Sequence, residues 1–93
     1  MFVYTASDPA NPVVLQGDTL RLTVFTTPTT HALARLLLIV HSLGANILDL
    51  RWRVTTADPE GIATLVISLE KARHPHLQAA IARSIDVRSI AVL

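Results

Sequence analysis

An α+β sandwich, four antiparallel strands with two helices on one face, is what the hydrophobic pattern predicts. In four segments apolar residues recur at every second position, the period of a strand with one buried face. In two others they recur at intervals of three and four, the period of one helical face. The segments alternate as strand-helix-strand-strand-helix-strand, two split units whose crossovers are right-handed. That is the ferredoxin-like βαββαβ arrangement. It spans residues 19–93 and leaves residues 1–18 as an N-terminal extension.

In the extension, Phe2, Val3 and Tyr4 form one apolar patch and Val13, Val14 and Leu15 another, with Asp8-Pro9 and Asn11-Pro12 punctuating a turn between them. Two short strands, one strand with an ordered arm, or a loosely held terminus all fit. The first strand of the main unit follows, with Leu20, Leu22 and Val24 alternating with Arg21, Thr23 and Phe25. Pro28 ends it by removing a ladder donor, and Thr29 or Thr30 can cap the helix beyond by accepting from its orphan amides. Leu33, Leu36, Leu37 and Val40 form one face of that helix. Gly44 stands just past it, where a left-handed backbone suits glycine. The second strand carries Leu48, Leu50, Trp52 and Val54 on one face and Asp49, Arg51 and Arg53 on the other.

Ala57-Asp58-Pro59-Glu60-Gly61 then reads as a turn, with proline presetting it and glycine free to take positive φ. The strand from Ile62 to Glu70 has Ala63, Leu65, Ile67 and Leu69 on one face but Ile62 and Val66 on the other, the composition of a central strand. His74-Pro75-His76 opens the second helix, with proline in the first turn where its missing amide costs nothing. Leu77, Ala80, Ile81 and Ile85 supply its apolar stripe, and Val87–Leu93 is the last strand.

Ninety-three residues, half of them hydrophobic, make one domain able to bury roughly 60–65% of its unfolded surface. Net charge is +1 and only one of the eight basic residues is lysine, so no concentrated basic footprint for nucleic acid is present. Cysteine is absent, which excludes disulfides and thiolate metal sites and fits a cytoplasmic home. The longest apolar run, Leu36 to Val40, is far too short to cross a bilayer, so no membrane partner is expected.

The catalytic inventory is thin. Three glycines cannot build a phosphate loop. His74 and His76 are two apart across a proline, and His31 and His41 ten apart, so neither pair has the three- or four-residue spacing of helical metal ligands. Solvated or capping histidines are the simpler reading. Ser42 follows His41, but helix neighbours do not face each other, and no oxyanion hole accompanies them. Asp49, Arg51 and Arg53 read first as the polar side of a strand.

Leu33-Ala34-Arg35-Leu36, then seven residues, then Gly44-Ala45-Asn46-Ile47, and finally Ile85-Asp86-Val87-Arg88-Ser89-Ile90, occur in an order and spacing that resemble ACT regulatory domains. The acetolactate (acetohydroxyacid) synthase small subunit is the member they resemble most. The resemblance implies a non-catalytic regulatory subunit that holds no cofactor, dimerises, and activates a thiamine-diphosphate-dependent catalytic large subunit in branched-chain amino-acid synthesis. It also implies an amino-acid effector held by the turn before the first helix, Thr29, Thr30 and His31, with Asn46 reaching across a dimer interface. Aligned on that pattern, His31 replaces the family's ligand-contacting glycine and Pro28 its asparagine. Asn46 equally suits a turn for its own sake. In a ferredoxin-like sheet the second strand lies at an edge, and the resemblance implies that Ile47, Leu48, Asp49, Leu50, Arg51 and Arg53 pair there with a second copy; the competing reading is that the charges keep this edge solvated and the chain monomeric.

Two surpluses of apolar surface also suggest partners. Leu38 and Ile39 lie off the first helix's stripe, and Phe25, Ile62, Val66, Ile90 and Val92 are expected on the sheet's second face, covered by a partner or by residues 1–15. A free-standing ACT-like small-molecule sensor is the alternative function. A small enzyme on this fold is the third, disfavoured by the missing acid-base constellation.

Overall fold

The computed structural model describes residues 2–5 and 18–93. In them the chain runs β1 (Phe2–Thr5), β2 (Thr19–Thr26), α1 (Thr30–Ser42), β3 (Asn46–Thr55), β4 (Glu60–Ser68), a 3-10 turn (Lys71–Arg73), α2 (His74–Ala82) and β5 (Val87–Val92). The described strands form one antiparallel sheet in the order β1-β3-β4-β2-β5. Strands β2 to β5 with α1 and α2 are the expected ferredoxin-like unit, and β1 is added to it.

The strand apolar on both faces is indeed the middle one. Ala63, Leu65 and Ile67 of β4 are fully buried beneath the helices, between Leu22 and Val24 of β2 and Leu50 and Trp52 of β3. From the helical layer Leu36 and Val40 of α1 and Leu77 and Ile81 of α2 close this core. A bulge between Ile47 and Asp49 puts β3 out of simple alternation. Ile47 therefore packs on the core before it, Leu50 and Trp52 after it, and Leu48 is only half-buried.

Several details depart from the pattern-based expectation. The innermost row of α1 is Ala32-Leu36-Val40, with Leu33, Leu37 and Ile39 packed at its margins. Alanine at position 32 lets the helix sit close to the sheet. Ile85 is 83% exposed, because α2 ends at Ala82 and the next residues turn toward β5. Ile90 and Val92 lie opposite Val24 and Leu22, on the helix side of the sheet, since cross-strand partners share a face. The helix-free face thus keeps Phe25, Ile62 and Val66, and they alternate with Thr23, Thr64, Arg21, Arg51 and Arg53. Gly61 lies inside β4 and, among the described residues, only Gly44 has a positive φ, at 80°. Gly61 is there for space: a Cβ would run into the Trp52 ring, Thr26 Oγ1 at 2.6 Å and the Thr27 carbonyl at 2.9 Å.

The N-terminal strand settles where the sheet ends. Phe2, Val3, Tyr4 and Thr5 pair antiparallel with Trp52, Arg51, Leu50 and Asp49. Strand β3 is therefore not the edge expected of it. Its open ladder groups need partners, and a strand tethered to the same chain meets them at high effective concentration. The expected patch at Val13-Leu15, the Asp8–Pro12 turn and any covering of the sheet by residues 6–15 lie outside the described residues.

Candidate functional site

Pro28 breaks β2 after Thr26 and makes a tight turn in which the Thr29 amide donates to the Thr27 carbonyl at 2.9 Å. Thr29 then caps α1 from an extended conformation, its hydroxyl accepting from the Ala32 amide at 3.1 Å. Either threonine fitted the sequence, and Thr29 is the cap because it alone precedes the helical backbone. Thr30 and His31 are exposed in the first turn. His31 does not stand clear of it: Arg35, one turn on, donates to its Nε2 at 2.8 Å. The position where the resemblance calls for a bare backbone is filled by an imidazole leaning along the helix.

Arg35 also reaches the other half of the domain. Its Nε lies 2.8 Å from Asp86 Oδ2, a buried oxygen that it meets as an ion pair without hydrogen-bond geometry. The backbone carbonyl of Asp86 accepts from the Thr27 amide at 2.9 Å. One residue at the entry to β5 therefore ties down both the turn before α1 and the helix's first turns. Nothing in hydrophobic periodicity marks this contact. Its only trace in the sequence is a pair of opposite charges 51 positions apart, which folding alone brings together.

Asn46 is elsewhere. Helix α1 runs 13 residues away from the Thr29 turn, a rise of about 20 Å, before Gly44 reverses the chain and Asn46 opens β3 opposite Ser68. Asn46 is exposed, and within one chain it does not meet Thr29, Thr30 or His31. Gly44 does take the left-handed backbone expected of it, its amide donating to the His41 carbonyl at 3.0 Å. Of the residues expected at a dimer seam, Asp49, Leu50 and Arg51 already face β1, and Leu50 is buried in the core. Asp49 and Arg51 approach each other on one strand, 3.9 Å apart, rather than across a seam.

The remaining histidines have structural or solvated settings. His74 Nε2 donates to the carbonyls of Leu69 at 2.7 Å and Asp18 at 3.2 Å, pinning the start of α2 to the ends of β4 and β2. His41 and His76 are exposed. Among the described residues no three His, Cys, Asp or Glu side chains converge as a metal site requires, and no helix is long and apolar enough to cross a membrane.

No protein-family model matches the chain, and no curated protein matches it in sequence. Solved structures do match. The ACT domain of GTP pyrophosphokinase from Chlorobium tepidum aligns with a TM-score of 0.63 at 10% identity, over 81% of this chain and 96% of that one. The C-terminal domain of the MgtC protein from Mycobacterium tuberculosis aligns with a TM-score of 0.61 at 14% identity, over 86% and 92%. At such identities the likeness is one of fold: the chain has the ferredoxin-like fold of an ACT domain.

Proposed function

We propose that this chain is a regulatory domain of the ACT type, one that senses a small molecule and passes the event to a protein partner rather than catalysing a reaction. The observation that carries this reading is the junction at Asp86. The turn before α1, the first turns of α1 and the entry to β5 meet there, the Thr27 amide on the Asp86 backbone carbonyl and Arg35 on its carboxylate. A ligand that draws Arg35 away, or reshapes the Thr29 turn, loosens α1 from β5, and a shift of packed elements is a signal a partner can read.

The finer reading makes the partner a thiamine-diphosphate-dependent acetolactate synthase catalytic chain. The motif order from Leu33 to Ile47 and again from Ile85 to Ile90 supports it. Under it two copies would meet along β3, which requires β1 to leave the stretch from Asp49 to Trp52. A free-standing sensor is the competing reading, favoured by the pairing of β1 along residues 49–52 of that edge.

Affinity capture from native lysate with mass spectrometry tests both. Recovery of such a catalytic chain establishes the partnership. Its absence, together with calorimetric binding of an amino acid, establishes the free-standing sensor. Failure of both overturns the regulatory reading.

A further inference from the structure

On the helix-free face, between β3 and β4, lies an open hollow of about 240 Å³ lined by Arg51, Trp52, Arg53, Ile62 and Thr64. Its walls follow from register. Arg53 stands opposite Ile62, and Ile62 opposite Phe25; Arg51 stands opposite Thr64, and Thr64 opposite Thr23. Two guanidinium groups two residues apart on one strand, their Cα atoms about 7 Å from each other, thus flank a floor of one aliphatic side chain and one hydroxyl. Phe25, half-buried, extends the apolar part of that floor.

Among the described residues Arg51 and Arg53 are only weakly matched by opposite charge. Arg53 has no side-chain partner among the described residues. Arg51 approaches Asp49 at 3.9 Å with its side chain 68% exposed, a pair that solvent screens strongly. Arg21 adds a third cation in the neighbouring row, opposite Val66. Stacking two such faces from two copies would set these arginines against their own images, so the pattern disfavours a second copy and favours an anion. Arginine's planar fork suits a carboxylate or phosphate oxygen pair, and an apolar floor beside it suits a ligand with a hydrocarbon part.

We propose that this hollow binds a small molecule carrying an oxyanion on an apolar body. The oxyanion lies between Arg51 and Arg53, and the body over Ile62 toward Phe25. This site is separate from the Thr29 turn and does not depend on the identity of any protein partner.

Amide chemical-shift titration of the full chain with hexanoate and with hexyl phosphate tests it, with hexanol and inorganic phosphate as the half-ligands. Saturable shifts centred on Arg51–Arg53 and Ile62–Thr64, for either amphipathic anion, are the expected result, with both half-ligands weaker. The tighter of the two anions identifies the headgroup as carboxylate or phosphate. Arg53→Gln, at an exposed position, should weaken binding about tenfold or more while leaving the remaining spectrum in place. Thr29→Ala, at the turn before α1 and not among the residues that line the hollow, should leave the affinity unchanged. No saturable shift with either anion overturns the proposal, as does an affinity indifferent to Arg53→Gln. Tighter binding of an oligothymidylate than of either anion, lost in the same variant, also overturns it and makes the face a single-stranded nucleic-acid platform.

Discussion

Two of the three glycines do different jobs. Gly44 sits at φ 80°, where a side chain costs backbone energy, while the space around it is ordinary: the nearest atom to an added Cβ is Arg73 Nη1 at 3.4 Å, the end of a flexible chain. Gly44→Val should therefore destabilise the domain by about 1–2 kcal/mol through strain alone. Gly61 has the opposite problem, a permissible backbone in a space already filled by Trp52, Thr26 and the Thr27 carbonyl. Gly61→Ala should cost about 1–3 kcal/mol by overpacking, though alanine is normally harmless in place of glycine. Urea unfolding checks both, as a lowered midpoint at unchanged slope. An unaltered midpoint for Gly61→Ala would mean that Trp52 swings aside freely. Position 44 was legible because a glycine closing a helical pattern has one common use. Position 61 was not, because its neighbours come from two other strands.

Among the elements, β1 decides the state of the sheet's edge. It pairs along four residues of a ten-residue strand, so Asn46, Ile47 and Leu48 at one end of β3 and Arg53, Val54 and Thr55 at the other extend beyond it. So short a strand holds by proximity more than by its own ladder. Removing residues 1–17 should expose the whole of β3. In an antiparallel pairing of two copies centred on Leu50, Asp49 of each faces Arg51 of the other, a self-complementary match. Sedimentation velocity at tens of micromolar should then find the truncated chain dimeric and the full chain monomeric. A monomer in both cases would show that β3 stays solvated even when open. The apolar residues Phe2, Val3 and Tyr4 marked a possible strand, and which strand they would join was not written in them. Edge pairing is chosen by tethering and by what else lies unpaired, neither of which is local.

For the molecule as a whole, the effector question turns on His31. Its side chain, held along the helix by Arg35 at 2.8 Å, stands where the resemblance calls for a bare backbone, and a Cβ there hinders the close approach that an amino-acid carboxylate needs to backbone amides. Valine, leucine and isoleucine should each show weak or absent binding by calorimetry at millimolar concentration. A micromolar dissociation constant for any of them would sink this expectation, and loss of that affinity in Thr29→Ala would place the ligand at the turn after all. What the sequence determined by itself was the ferredoxin-like unit: periods of two and of 3.6 come from local geometry, and each apolar stripe needs only one neighbour to bury it. Even the central place of β4 followed, since a strand apolar on both faces tolerates no edge. Tertiary structure alone decided the rest. It placed β1 on the edge of β3, moved Ile90 and Val92 to the helix side, joined Arg35 to Asp86, and set two arginines beside Ile62 in an open hollow. These outcomes depend on register and on charges far apart in the chain, and a pattern read along one strand at a time holds no information about either.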